Sequence, residues 1–191
     1  MSAYDTLEKF CDYAKIDKTL IKSFFKKNIK VFVSGNCYSI YWFNDPRDVG
    51  IGLFFGNSIL NMKTDLHSFL ESSNLGVNLN NFKGQNADLA GILVALLYLE
   101  NYLKNGAMIV IVSRFSYLNK LHEMCEYLLL YGDIQAYGET GIDYQILSEI
   151  AVIVTKYKSK ISFSYSEKRK TIYDYSDDYG LEKACKLSLD I

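Results

Sequence analysis

Apolar residues Leu7, Phe10, Cys11, Ala14, Leu20, Ile21, Phe24 and Phe25 recur at helical spacing, with a break near Ile16-Asp17-Lys18. Two short amphipathic helices are therefore predicted before residue 29. Two readings stand for them: an extension packed on the main fold, or a polar face that touches a partner. The period then drops to two. Residues 30–34 (KVFVS), 49–55 (VGIGLFF) and 58–64 (SILNMKT) read as β-strands. Gly56-Asn57 supplies the positive-φ residues of a tight hairpin, so the second and third strands are expected to be antiparallel neighbours. Residues 65–83 are polar and Asn-rich, which predicts a long loop with one short helix.

Residues 86–104 are apolar on almost every face, the pattern of a helix buried between a sheet and other helices. Asn105-Gly106 stops it. Residues 107–112 (AMIVIV) form the most apolar strand, expected to be central and parallel. Helices follow at 115–131 and 142–157, separated by a loop at 132–141. Residues 160–165 (KISFSY) alternate like a half-exposed strand, and 179–189 close the chain as a helix. The order is βββ-α-β-α-α-β-α. It divides the chain into an N-terminal helical extension, residues 1–29, and an α/β domain, residues 30–191.

Of the 191 residues, 49% are hydrophobic and 15% aromatic, enough for one buried core and too many for a chain dominated by disorder. Lys plus Arg (21) nearly balances Asp plus Glu (22), whereas a strongly electrostatic nucleic-acid binder is more basic. Cys11, Cys37, Cys125 and Cys185 form no CxxC pair, and with only His67 and His122 beside them no zinc-ligand spacing assembles. They read as reduced thiols. The charged N-terminal stretch lacks the apolar run of a secretory signal, so an intracellular location is expected, without a compartment. The longest apolar run, 89–99, is about half a membrane span and is flanked by Asp88 and Glu100, so no membrane segment is expected.

Several segments, in the right order, resemble eukaryotic-type ribonuclease H. The run Lys30-Val31-Phe32-Val33-Ser34-Gly35-Asn36-Cys37 looks like the family's first strand and turn, and residues 49–56 (VGIGLFFG) like its glycine-rich second strand. Gln85-Asn86-Ala87-Asp88-Leu89-Ala90 resembles the start of its buried helix, where N-x-x-A-E is usual. Residues 109–117 (IVIVSRFSY) resemble its fourth strand and the following turn, and 180–187 (GLEKACKL) the G-N-x-x-A-D-x-L of its last helix. The resemblance covers roughly residues 30–189. It implies an α/β fold with a ribonuclease H-like mixed five-stranded sheet flanked by helices, here with the N-terminal helical extension.

Family members hydrolyse the RNA strand of an RNA/DNA hybrid with two Mg²⁺ ions on four carboxylates, because hard cations need anionic oxygens. By the same resemblance, the four positions hold Ser34, Asp88, Arg114 and Cys185. Only Asp88 keeps a carboxylate, one methylene shorter. An always-protonated guanidinium at Arg114 opposes a cation by about 4 kcal/mol per unit-charge pair at roughly 4 Å and an effective dielectric near 20. A salt bridge from Arg114 to Asp88 is the expected outcome. Asp88 reads equally as a retained ligand or as an acid favoured by a helix N-terminus. The family's flexible histidine has no counterpart in residues 166–170 (SEKRK). Asp45 and Asp48, or Asp174, Asp177 and Asp178, are the acids that a relocated metal site would have to use; N-cap and loop roles explain them as well.

Two further groups stand out. Lys156, Lys158, Lys160, Lys168, Arg169 and Lys170 outnumber Glu167 and are interleaved with Tyr157, Phe163 and Tyr165, a pattern that suits phosphate neutralisation and base stacking. The competing reading is a solvated edge strand protected by lysines. Tyr38, Tyr41, Trp42 and Phe43, after the first strand, are either a protein-contact surface or a locally packed loop. The whole predicts a catalytically inactive ribonuclease H-like protein acting as a binding or scaffold subunit of a protein or ribonucleoprotein assembly, with no cofactor. The alternatives are a metal-dependent endonuclease of altered active site, using Mg²⁺ on RNA or RNA/DNA hybrid, and an RNA- or DNA-binding adaptor. Protein partners come first, nucleic acid second.

Overall fold

The structure is a computed structural model that describes residues 28–37, 49–56, 60–73, 86–132, 142–166 and 175–189. The N-terminal extension, the aromatic loop at residues 38–43, and Lys168, Arg169 and Lys170 lie outside them. Three strands open the domain: β1 (Ile29–Cys37), β2 (Val49–Phe54) and β3 (Met62–Asp65). Next come α1 (Leu66–Ser72) and α2 (Ala87–Lys104), then β4 (Ile109–Ser113), α3 (Leu121–Tyr131), α4 (Tyr144–Lys156), β5 (Ile161–Tyr165) and α5 (Tyr175–Leu189). They make one five-stranded sheet in the order β3-β2-β1-β4-β5.

Chain chemistry explains this arrangement. β2 pairs antiparallel with β3 as expected, but Leu53 faces Met62 and β3 begins at Met62 rather than residue 58, so the connection through Gly56 (φ 81°) is longer than a two-residue turn. β1 pairs antiparallel with β2 but parallel with β4, which in turn pairs parallel with β5. The apolar strand β4 is thus enclosed on both edges, as its composition predicts. The predicted helix from residue 115 begins later. Phe115–Tyr117 make a turn and Leu118–Lys120 a short 3₁₀ turn before α3. In that turn the Ser113 hydroxyl accepts the Phe115 amide at 3.3 Å, which diverts the backbone from helical pairing.

α2 is buried nearly all round because the sheet lies against one side and α4 against another. Leu89, Ile92, Leu93, Leu96 and Leu99 are solvent-free, and each such side chain contributes about 1.5–3 kcal/mol by leaving water. The opposite sheet face carries a second, smaller cluster: Phe32, Phe54 and Val112 under Leu181 and Ala184 of α5. Both helices approach the sheet at glycines. A Cβ on Gly35 would stand 1.9 Å from the Ala87 carbonyl oxygen, and one on Gly52 would stand 1.9 Å from that of Ala184. Backbone-to-backbone docking of this kind brings the start of α2 onto β1 and the C-terminal half of α5 onto β2. Among the described residues, no helix is long and apolar enough to cross a membrane.

Candidate functional site

β1 alternates its faces, so Phe32, Ser34 and Asn36 look towards α5 while Val33, Gly35 and Cys37 look towards α2. On the α2 side, Asp88 stands in the first turn of the helix. Its Oδ1 accepts the Gly35 amide hydrogen at 2.9 Å. Burial pushes the carboxyl pKa up, and the Gly35 hydrogen bond and the positive charge of Arg114 only partly offset that. Ionised Asp88 is therefore the less comfortable form of this group.

Arg114 follows directly on the end of β4 and is half-buried. Its charge reaches Asp88, but the expected salt bridge is not among the ion pairs of the described residues. The carboxylate bonds the Gly35 amide instead, because close docking of α2 on β1 delivers that N–H at its first turn. Asp88 is consequently tied to the backbone of the strand that carries Ser34.

On the α5 side the polar contacts form another set. The Asn36 amide donates to the Cys185 thiol at 3.6 Å and to the Ser188 hydroxyl. Ser188, fully buried, donates onward to the Cys185 carbonyl at 2.7 Å. Asn36 thus clasps α5 to β1 where the family resemblance puts a metal ligand. Asn36 and Ser188 were missed in the sequence. The signal that marks them is a polar residue on each apolar stripe: Asn36 two after Ser34, and Ser188 three after Cys185. A further missed link is Asn86, whose Oδ1 accepts the Asp143 amide at 3.1 Å and ties the start of α2 to the N-cap of α4.

Of the four positions, Asp88 is bonded to the strand next to Ser34 and feels the charge of Arg114, while Cys185 is bonded through Asn36 on the opposite face of β1. Among the described residues, no three His, Cys, Asp or Glu side chains converge as a metal site. Asp45, Asp48 and Asp174, and the side chains of Asp177 and Asp178, lie outside the described residues. Cys125 is buried and Cys185 half-buried, and neither is in a disulfide.

The lysines go elsewhere. Lys156 ends α4 and bonds Glu100 Oε1 at 3.3 Å, while Lys104 takes the other oxygen at 3.1 Å. Lys158 pairs with Glu126. Lys160 donates to the Leu103 carbonyl at 3.0 Å, where the last carbonyls of α2 need donors. The Lys156 and Lys160 ammonium groups lie 5.0 and 5.8 Å from the centroid of the Tyr157 ring, which is only 7% exposed. Phe163 packs on His122 with ring centroids 4.9 Å apart. Stacking of bases on Tyr157 is thereby ruled out.

No protein-family model matches the chain, and no curated protein matches it in sequence. Solved structures do match in three dimensions. The solution structure of the PFV ribonuclease H domain superposes with a TM-score of 0.57 at 13% identity, covering 85% of this chain and 92% of that one. The foamy viral protease-reverse transcriptase in complex with double-stranded DNA gives 0.53 at 11% identity, over 85% of this chain and 95% of that one. The same enzyme in complex with RNA/DNA hybrid gives 0.55 at 10% identity, over 87% of this chain and 21% of that one. Strand order, the mixed pairing and the placement of helices on both faces agree with these neighbours: the chain has a ribonuclease H-like fold.

Proposed function

We propose that this protein keeps the ribonuclease H-like framework without its nuclease chemistry and works by binding, as a subunit of a protein or ribonucleoprotein assembly. The observation that carries the reading is Asp88. It is the one carboxylate among the four matching positions, it is bonded to the Gly35 amide, and burial favours its neutral form. A pair of divalent cations needs several ionised carboxylates. Ser34 and Cys185 offer no anionic oxygen, and Arg114 brings a positive charge. Solved neighbours in complex with double-stranded DNA and RNA/DNA hybrid support nucleic acid as one component of such an assembly.

The test is a cleavage assay on RNA/DNA hybrid, double-stranded RNA and single-stranded RNA, each with Mg²⁺ and with Mn²⁺. The expected result is no product with either wild type or Asp88→Ala. Metal-dependent cleavage by wild type that disappears in Asp88→Ala overturns the proposal and restores the reading as an endonuclease of altered active site.

A further inference from the structure

α2 measures the distance between the two charged regions of the domain. Asp88 stands in its first turn and Lys104 is its last residue, 16 positions on, or about 24 Å along the axis at 1.5 Å per residue. At the far end, where β4 and β5 begin, Lys104 comes together with Lys156, Lys158 and Lys160 from two segments that are distant in sequence. Their described acidic partners are two, Glu100 and Glu126. Lys104 and Lys156 share the single carboxylate of Glu100, and Lys160 is held by a neutral carbonyl. This end of the domain therefore carries a surplus of positive charge, although the whole chain is at −1.

We propose that this lysine pole is a docking surface for the phosphate backbone of a duplex nucleic acid, independent of the degenerate site at the other end of α2. The proposal rests on the reading that the protein works by binding. Three features select a duplex backbone. Lys104, Lys156 and Lys158 are about half exposed, and each ammonium has three donors of which the carboxylates occupy only some. Exposed ion pairs of this kind hold only weakly, so phosphates can take the place of the glutamates at little cost. Tyr157 lies beneath the lysines and is withheld from solvent, which removes the stacking platform that single strands use. Met108, just before β4, and Val152, one turn before Lys156, are the exposed large apolar side chains beside the lysines, too few to anchor a protein partner by apolar burial.

The experiment measures anisotropy of a labelled DNA duplex, an RNA/DNA hybrid, a single-stranded RNA and a poly-glutamate peptide across about 50–200 mM salt. Wild type is expected to bind both duplexes at least as well as the single strand, with a steep salt dependence. Lys156→Gln/Lys158→Gln lowers duplex affinity on the order of 10-fold at low salt and flattens the log–log salt slope by about 0.9 per lysine. Glu100→Gln acts in the opposite sense and tightens binding several-fold, an effect that a purely structural role of Glu100 would not produce. Arg114→Gln leaves duplex affinity unchanged. The proposal is overturned by absent or salt-insensitive duplex binding, by preference for the single strand or for poly-glutamate, or by weaker binding in Glu100→Gln. Dependence on Arg114 in place of the lysine pair overturns it as well. Each readout is separate from cleavage, so the inactive-site reading can fail while this one stands, and the reverse.

Discussion

Replacing Gly35 with alanine tests the join on which the candidate site is built. An ideal Cβ there would lie 1.9 Å from the Ala87 oxygen, 2.2 Å from the Ala87 carbonyl carbon and 2.8 Å from the Asp88 nitrogen. Heavy atoms in contact keep about 3.5–4.0 Å, so β1 and the start of α2 must part by roughly 1.5 Å. All three atoms belong to backbone, and α2 has no free side towards which to tilt. Overpacking of this kind costs about 1–3 kcal/mol. Separation also breaks the Gly35 N–H···Asp88 bond, worth about 1.5–3 kcal/mol when the acceptor is charged. The combined loss of about 2.5–6 kcal/mol corresponds, at about 2–4 °C per kcal/mol for a chain of this size, to a fall in Tm of roughly 5–24 °C. Thermal unfolding followed by circular dichroism measures it, with Gly56→Ala as the control. Gly56 has φ of 81° and open space around its Cβ, so only the backbone cost of about 1–2 kcal/mol applies. A Gly35→Ala melting point equal to that of wild type would refute the docking described here.

Gly52→Ala, whose Cβ would strike the Ala184 oxygen at 1.9 Å and the Ser188 nitrogen at 2.7 Å, should cost about 1–3 kcal/mol and raise hydrogen exchange along α5 ahead of α2. Because the folded pKa of Asp88 lies above 3.8, its ionisation lowers stability as pH rises through that raised value. Asp88→Asn should therefore be more stable than wild type at neutral pH, with the gap closing below about pH 4, as urea titrations at several pH values would show. Glu100 behaves oppositely: burial raises its pKa, but hydrogen bonds and charge from Lys104 and Lys156 outweigh that and lower it below 4.5. The stability it contributes is present above that value and lost as pH falls through the lowered one, so Glu100→Gln should lose stability at pH 7 but not at strongly acid pH. The Cys125 thiol, pushed up to about 12 by burial and by Glu126, should resist alkylation in the native protein at pH 8; modification as fast as in the unfolded chain would contradict that burial.

Local pattern determined much of this protein. The strand and helix periods placed nine elements of the domain in order, the turn residues after β2 marked β2 and β3 as antiparallel neighbours, and the all-round apolar run of α2 announced a helix enclosed on several sides. These features are legible because each depends on residues within a few positions of one another. Family likeness in short motifs pointed to Ser34, Asp88, Arg114 and Cys185; of these, Asp88 is tied to β1 and feels the charge of Arg114.

Tertiary structure alone decided what those side chains bond. Asp88 chose the Gly35 amide over Arg114 because two backbones dock through a glycine, a contact 53 residues apart in sequence. Asn36 found Ser188 across 152 residues, which no spacing rule reaches. The lysines of residues 156–160 read as a phosphate-binding and stacking segment. Folding withholds Tyr157 from stacking and sets the lysines beside Glu100 and Glu126, because long flexible side chains take whichever acid the packed helices bring within reach. Hydrophobic periodicity selects a face for each element; only the close packing of those faces decides which polar groups end up opposite one another.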